Sequence, residues 1–151
     1  MQTFVPESTF GACAAVLDNK RLGKQRVEVL QILRALTGGS WGWRNHPATK
    51  MWAGHEAGLC AYGIAVCAEW TKRGYKDTCA DKMRAIVEPD ATDLPWWWGN
   101  LDIMRSHQSN LVRKAPEFYR PRYLDVEDCL PYLWAKPDGS VEVGKAPIGV
   151  A

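Results

Sequence analysis

The hydrophobic positions between residues 20 and 36 recur with the period of an α-helix. On a wheel of about 100° per residue, one side collects Leu22, Val29, Leu30, Leu33 and Leu36. The opposite side collects Arg21, Lys24, Gln25, Glu28 and Gln31. The pattern predicts an amphipathic helix that follows the caps Asp18 and Asn19 and ends before Gly38. Glu28 is expected to face away from the core, towards solvent, among cations and amides.

The pattern on either side of this helix is also helical. Ser8 and Thr9 precede an apolar patch, which predicts a short first helix with a hydroxyl cap. After a shaped loop, a long helical region is expected from Pro47, in a first turn, to Arg73. Glycines inside that region indicate either a break near Gly54 or close packing against another helix.

Two further helices are predicted at residues 77–87 and 101–115, the second ended by Pro116. The motif KPDGS between YLW and VEV predicts a small β-hairpin. Together these elements predict an all-α fold, a compact single-domain helical bundle over residues 1–151 with a small C-terminal β-hairpin.

Composition narrows the class of protein. Of the 151 residues, 46% are hydrophobic, which argues against disorder. The chain has neither an apolar run of about 18 residues nor a basic segment followed by an apolar block, so no membrane span or secretory signal is expected. The five scattered cysteines predict reduced, mostly buried thiols in a cytoplasmic protein. Most of the eight tryptophans are expected in the core, with at least one of Trp96, Trp97 and Trp98 partly exposed.

Positive charge is concentrated in two segments, although the formal net charge is only +2. Residues 20–34 carry five cations against Glu28 alone, and residues 105–122 carry five against Glu117 alone. These segments either form one positive surface that faces phosphates or are two separate solvated helix faces.

Glu28 is the first candidate for chemistry. A carboxylate fixed among cations can stabilise a developing positive charge or act as a base. The alternative is a surface ion pair with Lys24, one helical turn earlier, worth at most a few tenths of a kcal/mol. Periodicity by itself favours the ion pair.

The three histidines are weaker candidates. His55-Glu56 does not begin an H-E-x-x-H motif, because position 59 is leucine. A metal-dependent hydrolase using His46, His55 and His107 is therefore a minor alternative, and no metal or other cofactor is expected. His46 can orient a loop or contact phosphate, while His107 can read a base edge, bond a phosphate or line a polar cleft. P-loop, dinucleotide-binding and serine-elbow motifs are absent from the sequence.

Three segments resemble the small pyrimidine-dimer DNA glycosylases of the phage endonuclease V type. In LDNKRLGKQRVEVL, Leu22 stands six residues before Glu28, like the leucine before the family's catalytic glutamate. GWRNHPATKMWAGHEAGLCAYGIAVCAEWTKRGY resembles the family's aromatic-Arg-x-His-Pro loop and the long helix after it. SHQSNLVRKAPEFYRP resembles the basic C-terminal helix and aromatic segment. The resemblance covers residues 1–123 and leaves residues 124–151 as a C-terminal extension.

The resemblance implies a glycosylase that grips damaged duplex DNA without a cofactor. In the family, the N-terminal amine attacks the sugar C1′ beside the damaged base, and strand cleavage follows from the resulting imine by β-elimination. The catalytic residues carried over are Glu28, which stabilises the cationic sugar, and Met1, which supplies the amine. The residues expected to bind DNA are Arg21, Lys24, Gln25, Arg26, Arg44, His46, His107, Arg113 and Lys114. No obligate protein partner is inferred.

Two residues depart from the family pattern. Phage members expose a small hydroxyl residue once methionine is removed, whereas Gln2 is bulky and favours retention of Met1. The family often has arginine directly before the glutamate, where this chain has Val27. The sequence therefore predicts a glycosylase for damaged or modified pyrimidines, in which the lyase step is the less secure part. The alternative is a non-catalytic nucleic-acid or nucleotide-binding module that uses the same basic cleft.

Extruding a base leaves a gap in the duplex that an aromatic side chain can fill. Trp43 and the run from Trp96 to Trp98 are the candidates for filling that gap or stacking on the base. Core packing is the alternative for each of them.

Overall fold

Residues 1–39 and 42–147 are described by a computed structural model, and within them the chain forms seven helices and one two-stranded sheet. The helices are α1 (Phe10–Val16), α2 (Asn19–Leu36), α3 (Pro47–Met51), α4 (Glu56–Lys72), α5 (Cys79–Ile86), α6 (Leu101–Lys114) and α7 (Pro116–Tyr119). The antiparallel sheet pairs β1 (Leu133–Ala135) with β2 (Val141–Val143). The prediction of a helical fold with a small C-terminal hairpin is confirmed. Ser40 and Trp41, at the start of the predicted loop, lie outside the described residues.

A local hydroxyl cap explains where the first helix begins, whereas the start of α2 also depends on a contact that is distant in sequence. The hydroxyl of Thr9 accepts a 3.1 Å hydrogen bond from the backbone N–H of Ala12, which is the predicted cap. Asp18 stands at the N-cap of α2, but its carboxylate accepts hydrogen bonds from Arg21 and Tyr119 instead of from the helix backbone. The hydroxyl of Tyr119, the last residue of α7, therefore binds the residue that precedes α2, 101 positions earlier in the sequence.

The long predicted helical region is both interrupted and closely packed. Gly54 has a φ of 83° between α3 and α4, a left-handed conformation that glycine adopts without strain. At Gly63 in the middle of α4, an added Cβ would lie 2.6 Å from Cγ1 of Val29 on α2. The missing side chain at residue 63 thus lets α4 approach the helix that carries Glu28.

The core is continuous from the N-terminal segment to the hairpin. It includes Phe4 and Val5, the leucine side of α2, and Ala135 of β1. Trp97 is 1% exposed and Trp96 is 46% exposed, which confirms the prediction that the tryptophan run cannot face inward as a whole. The buried thiols are those of Cys13, Cys60, Cys67 and Cys79, whereas Cys129 is exposed.

The hairpin packs against α6 and α3 and so closes over the same side of the molecule as the N-terminal segment. Among the described residues, no helix combines the length and the apolar character needed to cross a membrane.

Candidate active site

Gln25 holds the first residues of the chain against α2. Its side-chain Oε1 accepts a 2.9 Å hydrogen bond from Phe4 N, and its Nε2 donates one of 2.7 Å to the carbonyl oxygen of Gln2. Tyr62 of α4 donates a 2.6 Å hydrogen bond to the carbonyl oxygen of Phe4. Side chains therefore provide the hydrogen bonds that a strand neighbour would otherwise supply.

The next part of the segment is held in the same way from other helices. The ring Nδ1 of His107, on α6, accepts a 2.9 Å hydrogen bond from Val5 N. Trp52 donates its indole N–H to the hydroxyl of Thr3 at 2.9 Å. Helices α2, α4 and α6 thus fix the path of a segment that has no regular secondary structure of its own.

Glu28 lies where this segment reaches α2. Its Oε2 accepts a 2.8 Å hydrogen bond from Gln2 N, and its Oε1 lies 3.7 Å from Nζ of Lys24. The predicted ion pair is present, but it involves only one of the two carboxylate oxygens. The prediction that Glu28 faces solvent is wrong, because the N-terminal segment covers it and leaves it 9% exposed.

A main cleft of about 390 Å³ opens beside Glu28. It is lined by Met1, Gln2, Phe4, Lys20, Arg21, Lys24, Gln25, Glu28, Lys114 and Tyr132. Burial, followed by the charges of Arg21, Arg113 and Lys24, lowers the pKa of Lys114. The two basic segments therefore meet in one positive surface, which is the first of the two alternatives that the sequence left open.

A second cleft of about 260 Å³ lies on the other side of Glu28. It is lined by Met1, Lys24, Val27, Glu28, Gln31 and Trp43. Met1, Lys24 and Glu28 line both clefts, so the start of the chain and the carboxylate stand at the boundary between them.

A row of aromatic rings connects the two clefts. Trp43 contacts His46 edge-on with 5.6 Å between ring centroids, and His46 contacts Trp134 in the same way at 5.8 Å. The ring centroids of Trp134 and Tyr132 lie 5.4 Å apart, and Tyr132 lines the main cleft. The lining of the main cleft thus combines cations with aromatic rings, and Nζ of Lys114 lies over the rings of Phe4 and Tyr132.

His46 belongs to this row and also caps α3. Its Nδ1 accepts a 3.0 Å hydrogen bond from Ala48 N. Burial, followed by the positive charge of the N-terminal amine, lowers the pKa of His46. The amine of Met1 is therefore close enough to act electrostatically on this ring.

Three residues expected to bind DNA are placed in the interior instead. Arg26 forms a 2.5 Å ion pair with Asp77, whose side chain is 5% exposed, and stacks over Trp70, on the far side of α2 from the clefts. His107 is 0% exposed and Gln25 is 2% exposed, and both bind the N-terminal segment. Buried side chains of this kind position the site, and their placement does not support direct contact with DNA.

The other expected DNA-binding residues lie at or near the surface. Arg21 lines the main cleft and also pairs with Asp18 at 3.2 Å. Arg113 is half-buried and donates to Asn110, and Arg44 is exposed in the turn before α3. Lys24 and Lys114 line the main cleft with Arg21.

The histidines of the metal alternative have separate partners. His46 caps α3, His107 binds Val5, and Nδ1 of His55 lies 2.7 Å from Oδ1 of Asp93. Within residues 1–39 and 42–147, no group of three or more histidine, cysteine or carboxylate side chains could hold a metal ion.

Sequence reasoning missed the contribution of the C-terminal hairpin. Tyr132 and Trp134 reach the site from residues 124–151, the part that the resemblance left out. The hydroxyl of Tyr132 accepts a 3.3 Å hydrogen bond from Lys114, which joins the hairpin to the basic helix. The aromatic run YLW was the available signal, but only the fold shows which of its rings face the cleft.

The fold and the site define a small helical protein with a basic, aromatic-lined cleft built around a carboxylate and the chain's first residues. The sequence model for the pyrimidine dimer DNA glycosylases matches residues 1–83, more than half of the chain. The chain belongs to this family, which confirms the resemblance and implies a role in DNA repair with DNA as the substrate. Searches among curated proteins and among solved structures found no significant match.

Proposed function

We propose that this protein is a DNA glycosylase with an associated lyase activity, which releases a damaged or modified pyrimidine from duplex DNA. The observation that carries the proposal is the 2.8 Å hydrogen bond between Gln2 N and Glu28 Oε2, at the edge of a cationic cleft. It brings the start of the chain and a partly desolvated carboxylate to one point.

The clefts provide the groups that this chemistry needs. Lys20, Lys24 and Lys114 would hold the phosphates on either side of the lesion, together with Arg21, Arg44 and Arg113. The carboxylate of Glu28 would stabilise the positive charge that develops on the sugar as its bond to the base breaks. Since an anion so placed would repel phosphates, the surrounding cations are needed for the DNA to approach.

The nucleophile in this proposal is the amine of Met1. Its lone pair forms a bond to C1′ while the bond from C1′ to the base breaks, and the base leaves with a proton that Glu28 can relay. Opening of the sugar ring gives an imine, which makes the C2′ protons acidic. Glu28 can accept one of these protons as the bond from C3′ to its phosphate breaks, and the phosphate leaves with the 3′ part of the strand. Met1 lines both clefts, so its amine can reach a sugar placed between them.

Borohydride trapping tests the proposal. An enzyme that forms an imine should become covalently joined to duplex DNA carrying one pyrimidine dimer when borohydride is present. Glu28→Gln should lower cleavage of the bond between base and sugar, measured as alkali-labile strand breaks at the dimer, by about 100-fold or more while DNA affinity changes by less than threefold. The amide retains an oxygen that can accept from Gln2 N, so the variant is expected to fold.

Glu142→Gln is the matched control, because Glu142 is an exposed carboxylate on the hairpin edge, with a cation partner of its own. It should leave both base release and trapping unchanged. If Glu28→Gln turned over substrate at the unaltered rate, the role assigned to Glu28 would be refuted.

One observation favours a second candidate, a non-catalytic module that binds damaged DNA or a nucleotide in the same clefts. The nitrogen that touches Glu28 is the backbone amide of Gln2, which is not nucleophilic. Intact affinity for dimer-bearing DNA without base release and without a trapped adduct would support this candidate.

The proposed site of action is the cytoplasm. The cysteines are free of disulfides, and Cys129 is exposed, as expected for a reducing compartment.

A further inference from the structure

We propose that the side-chain amide of Gln2 positions the DNA strand, by donating a hydrogen bond to a phosphodiester oxygen next to the sugar that the Met1 amine attacks. This inference rests on the proposed function and adds a positioning residue to it. Phage members of the family have a small hydroxyl residue at this place, so the family pattern does not supply this donor.

Three of the four polar groups of Gln2 are bonded within the protein. The backbone N–H donates to Glu28 at 2.8 Å, and the backbone carbonyl oxygen accepts from Gln25 at 2.7 Å. The side-chain Oε1 accepts a 2.9 Å hydrogen bond from Thr3 N. Because a backbone N–H can only donate, this bond identifies the oxygen end of the amide and leaves Nε2 as the other end.

The fourth group, Nε2, is a buried donor, and none of the described residues accepts a hydrogen bond from it. Gln2 as a whole is 4% exposed. A buried donor without an acceptor costs free energy, and such groups are uncommon in folded proteins. Among the described residues that line the main cleft, Gln2 is the one that has such an atom. The amide is therefore suited to an acceptor that arrives with the substrate.

The position of Gln2 relative to the two clefts indicates what this acceptor is. Gln2 lines the main cleft but not the second one, whereas Met1 and Glu28 line both. The amide thus lies on the cationic side of the reacting groups, where phosphates are attracted. A phosphodiester oxygen is a strong acceptor because it carries negative charge. Since Gln2 follows Met1 directly, the phosphates in question are those on the 5′ and 3′ sides of the reacting sugar.

The other bonds of Gln2 make its amide a means of alignment more than a source of affinity. Its backbone is fixed on both sides, whereas the side chain of Lys24 is 71% exposed. The terminal torsion of a glutamine side chain is soft, so a small rotation turns Nε2 into the cleft when an acceptor is present. The donor is also neutral, and its loss leaves the number of neutralised phosphates unchanged. We therefore expect its effect in the reaction rate and not in the Kd.

A variant and a modified substrate test this contact together. The substrate is a duplex with one abasic site, in which the phosphate on the 5′ or the 3′ side of the abasic sugar is replaced by a methylphosphonate. This group lacks the negative charge and one acceptor oxygen. On abasic DNA with ordinary phosphates, Gln2→Met should slow borohydride trapping by about 10-fold, while the Kd changes by less than twofold and its salt dependence is unchanged.

The methylphosphonate identifies the phosphate that binds the amide. At one of the two positions it should slow trapping of the unsubstituted protein by about 10-fold, but slow trapping of Gln2→Met by less than about threefold, because the hydrogen bond is already absent. Gln2→Glu retains the acceptor for Thr3 N but has no donor, so it should be at least as slow as Gln2→Met. The masses of the intact variants should show that both retain Met1.

Gln108→Met is the matched control, because Nε2 of Gln108 already donates to the carbonyl oxygen of Pro6 and residue 108 lines neither cleft. This variant should keep the full methylphosphonate effect. An unchanged trapping rate in Gln2→Met would overturn the inference alone, as would methylphosphonate effects at both positions that equal those of the unsubstituted protein. If the unsubstituted protein were not trapped on ordinary abasic DNA, the proposed function would be overturned, and this inference with it.

Discussion

The backbone N–H of Gln2 donates a 2.8 Å hydrogen bond to Oε2 of Glu28 and so joins the start of the chain to the middle of α2. Because that nitrogen is an amide, the nucleophile of the proposed mechanism is the α-amine of Met1, the preceding residue. One peptide unit therefore separates the proposed nucleophile from the nitrogen that binds Glu28. Chemistry at the α-amine can be tested directly.

Acetylation of the Met1 α-amine should abolish borohydride trapping on abasic DNA, because an amide nitrogen does not form an imine. DNA affinity should change by less than threefold, since only one of several positive charges is lost. Peptide mass spectrometry of the trapped, unmodified protein should place the adduct on Met1. Lys114→Arg is the matched control for one of the lysine amines that line the main cleft and should still be trapped, whereas an adduct on Lys20, Lys24 or Lys114 would contradict the assignment.

Gln25→Leu should slow base release by about tenfold while the Kd for DNA changes by less than threefold. The substitution removes the two hydrogen bonds that Gln25 makes to Gln2 and Phe4, so the amine is less well positioned. Leaving those backbone groups unpaired should also lower the free energy of unfolding by about 1–3 kcal/mol, measured in urea.

Gln108→Leu serves as the comparison for Gln25, because it removes the 2.9 Å hydrogen bond to the carbonyl oxygen of Pro6, further from the amine. Gln108→Leu should lower the free energy of unfolding, but it should slow base release less than Gln25→Leu does. Equal rate losses in the two variants would show that the role assigned to Gln25 is a general effect of stability.

Lys24→Gln and Lys114→Gln should each make the salt dependence of DNA binding shallower, lowering the slope of log K against log salt by about 1. Both side chains line the main cleft. Arg26→Gln should leave this slope unchanged, because Arg26 is paired with Asp77. It should instead lower the free energy of unfolding by about 1–3 kcal/mol, since it leaves the largely covered carboxylate of Asp77 without its cation. A reduced slope for Arg26→Gln would contradict the placement of that side chain.

The free energy of unfolding should fall as the pH is lowered below about 6.5, by up to about 1.4 kcal/mol per pH unit from His107. Burial, followed by the charge of Lys114, lowers the pKa of His107 to about 3. The unfolded chain therefore binds a proton at His107 between pH 6.5 and 3, while the folded chain does not. Denaturant unfolding at several pH values measures the slope.

His107→Asn is the control for this pH dependence. Asparagine can place an oxygen near the position of Nδ1 and accept from Val5 N, but it does not titrate. Below pH 6.5, the free energy of unfolding of this variant should depend less steeply on pH. The difference should correspond to about one proton fewer taken up on unfolding. An unchanged slope would mean that other groups cause the acid sensitivity.

The sequence by itself determined most of the helices, although it predicted neither α7 nor the role of Asp18 at the start of α2. The leucine period of α2, the hydroxyl cap at Thr9 and the break at Gly54 were all readable, because each depends on residues within a few positions of one another. The candidate carboxylate was readable too, since Glu28 is the lone acid in a basic stretch.

Only the tertiary structure decided what each polar residue of α2 does. On the helical wheel Gln25, Arg21 and Glu28 share one side, and nothing local distinguishes them. The fold covers that side with the N-terminal segment, which buries Gln25 and Glu28 and leaves Arg21 in the cleft. Contacts such as Val5 N to His107, 102 positions apart, have no periodic signature, because they depend on how helices pack and not on how each one forms.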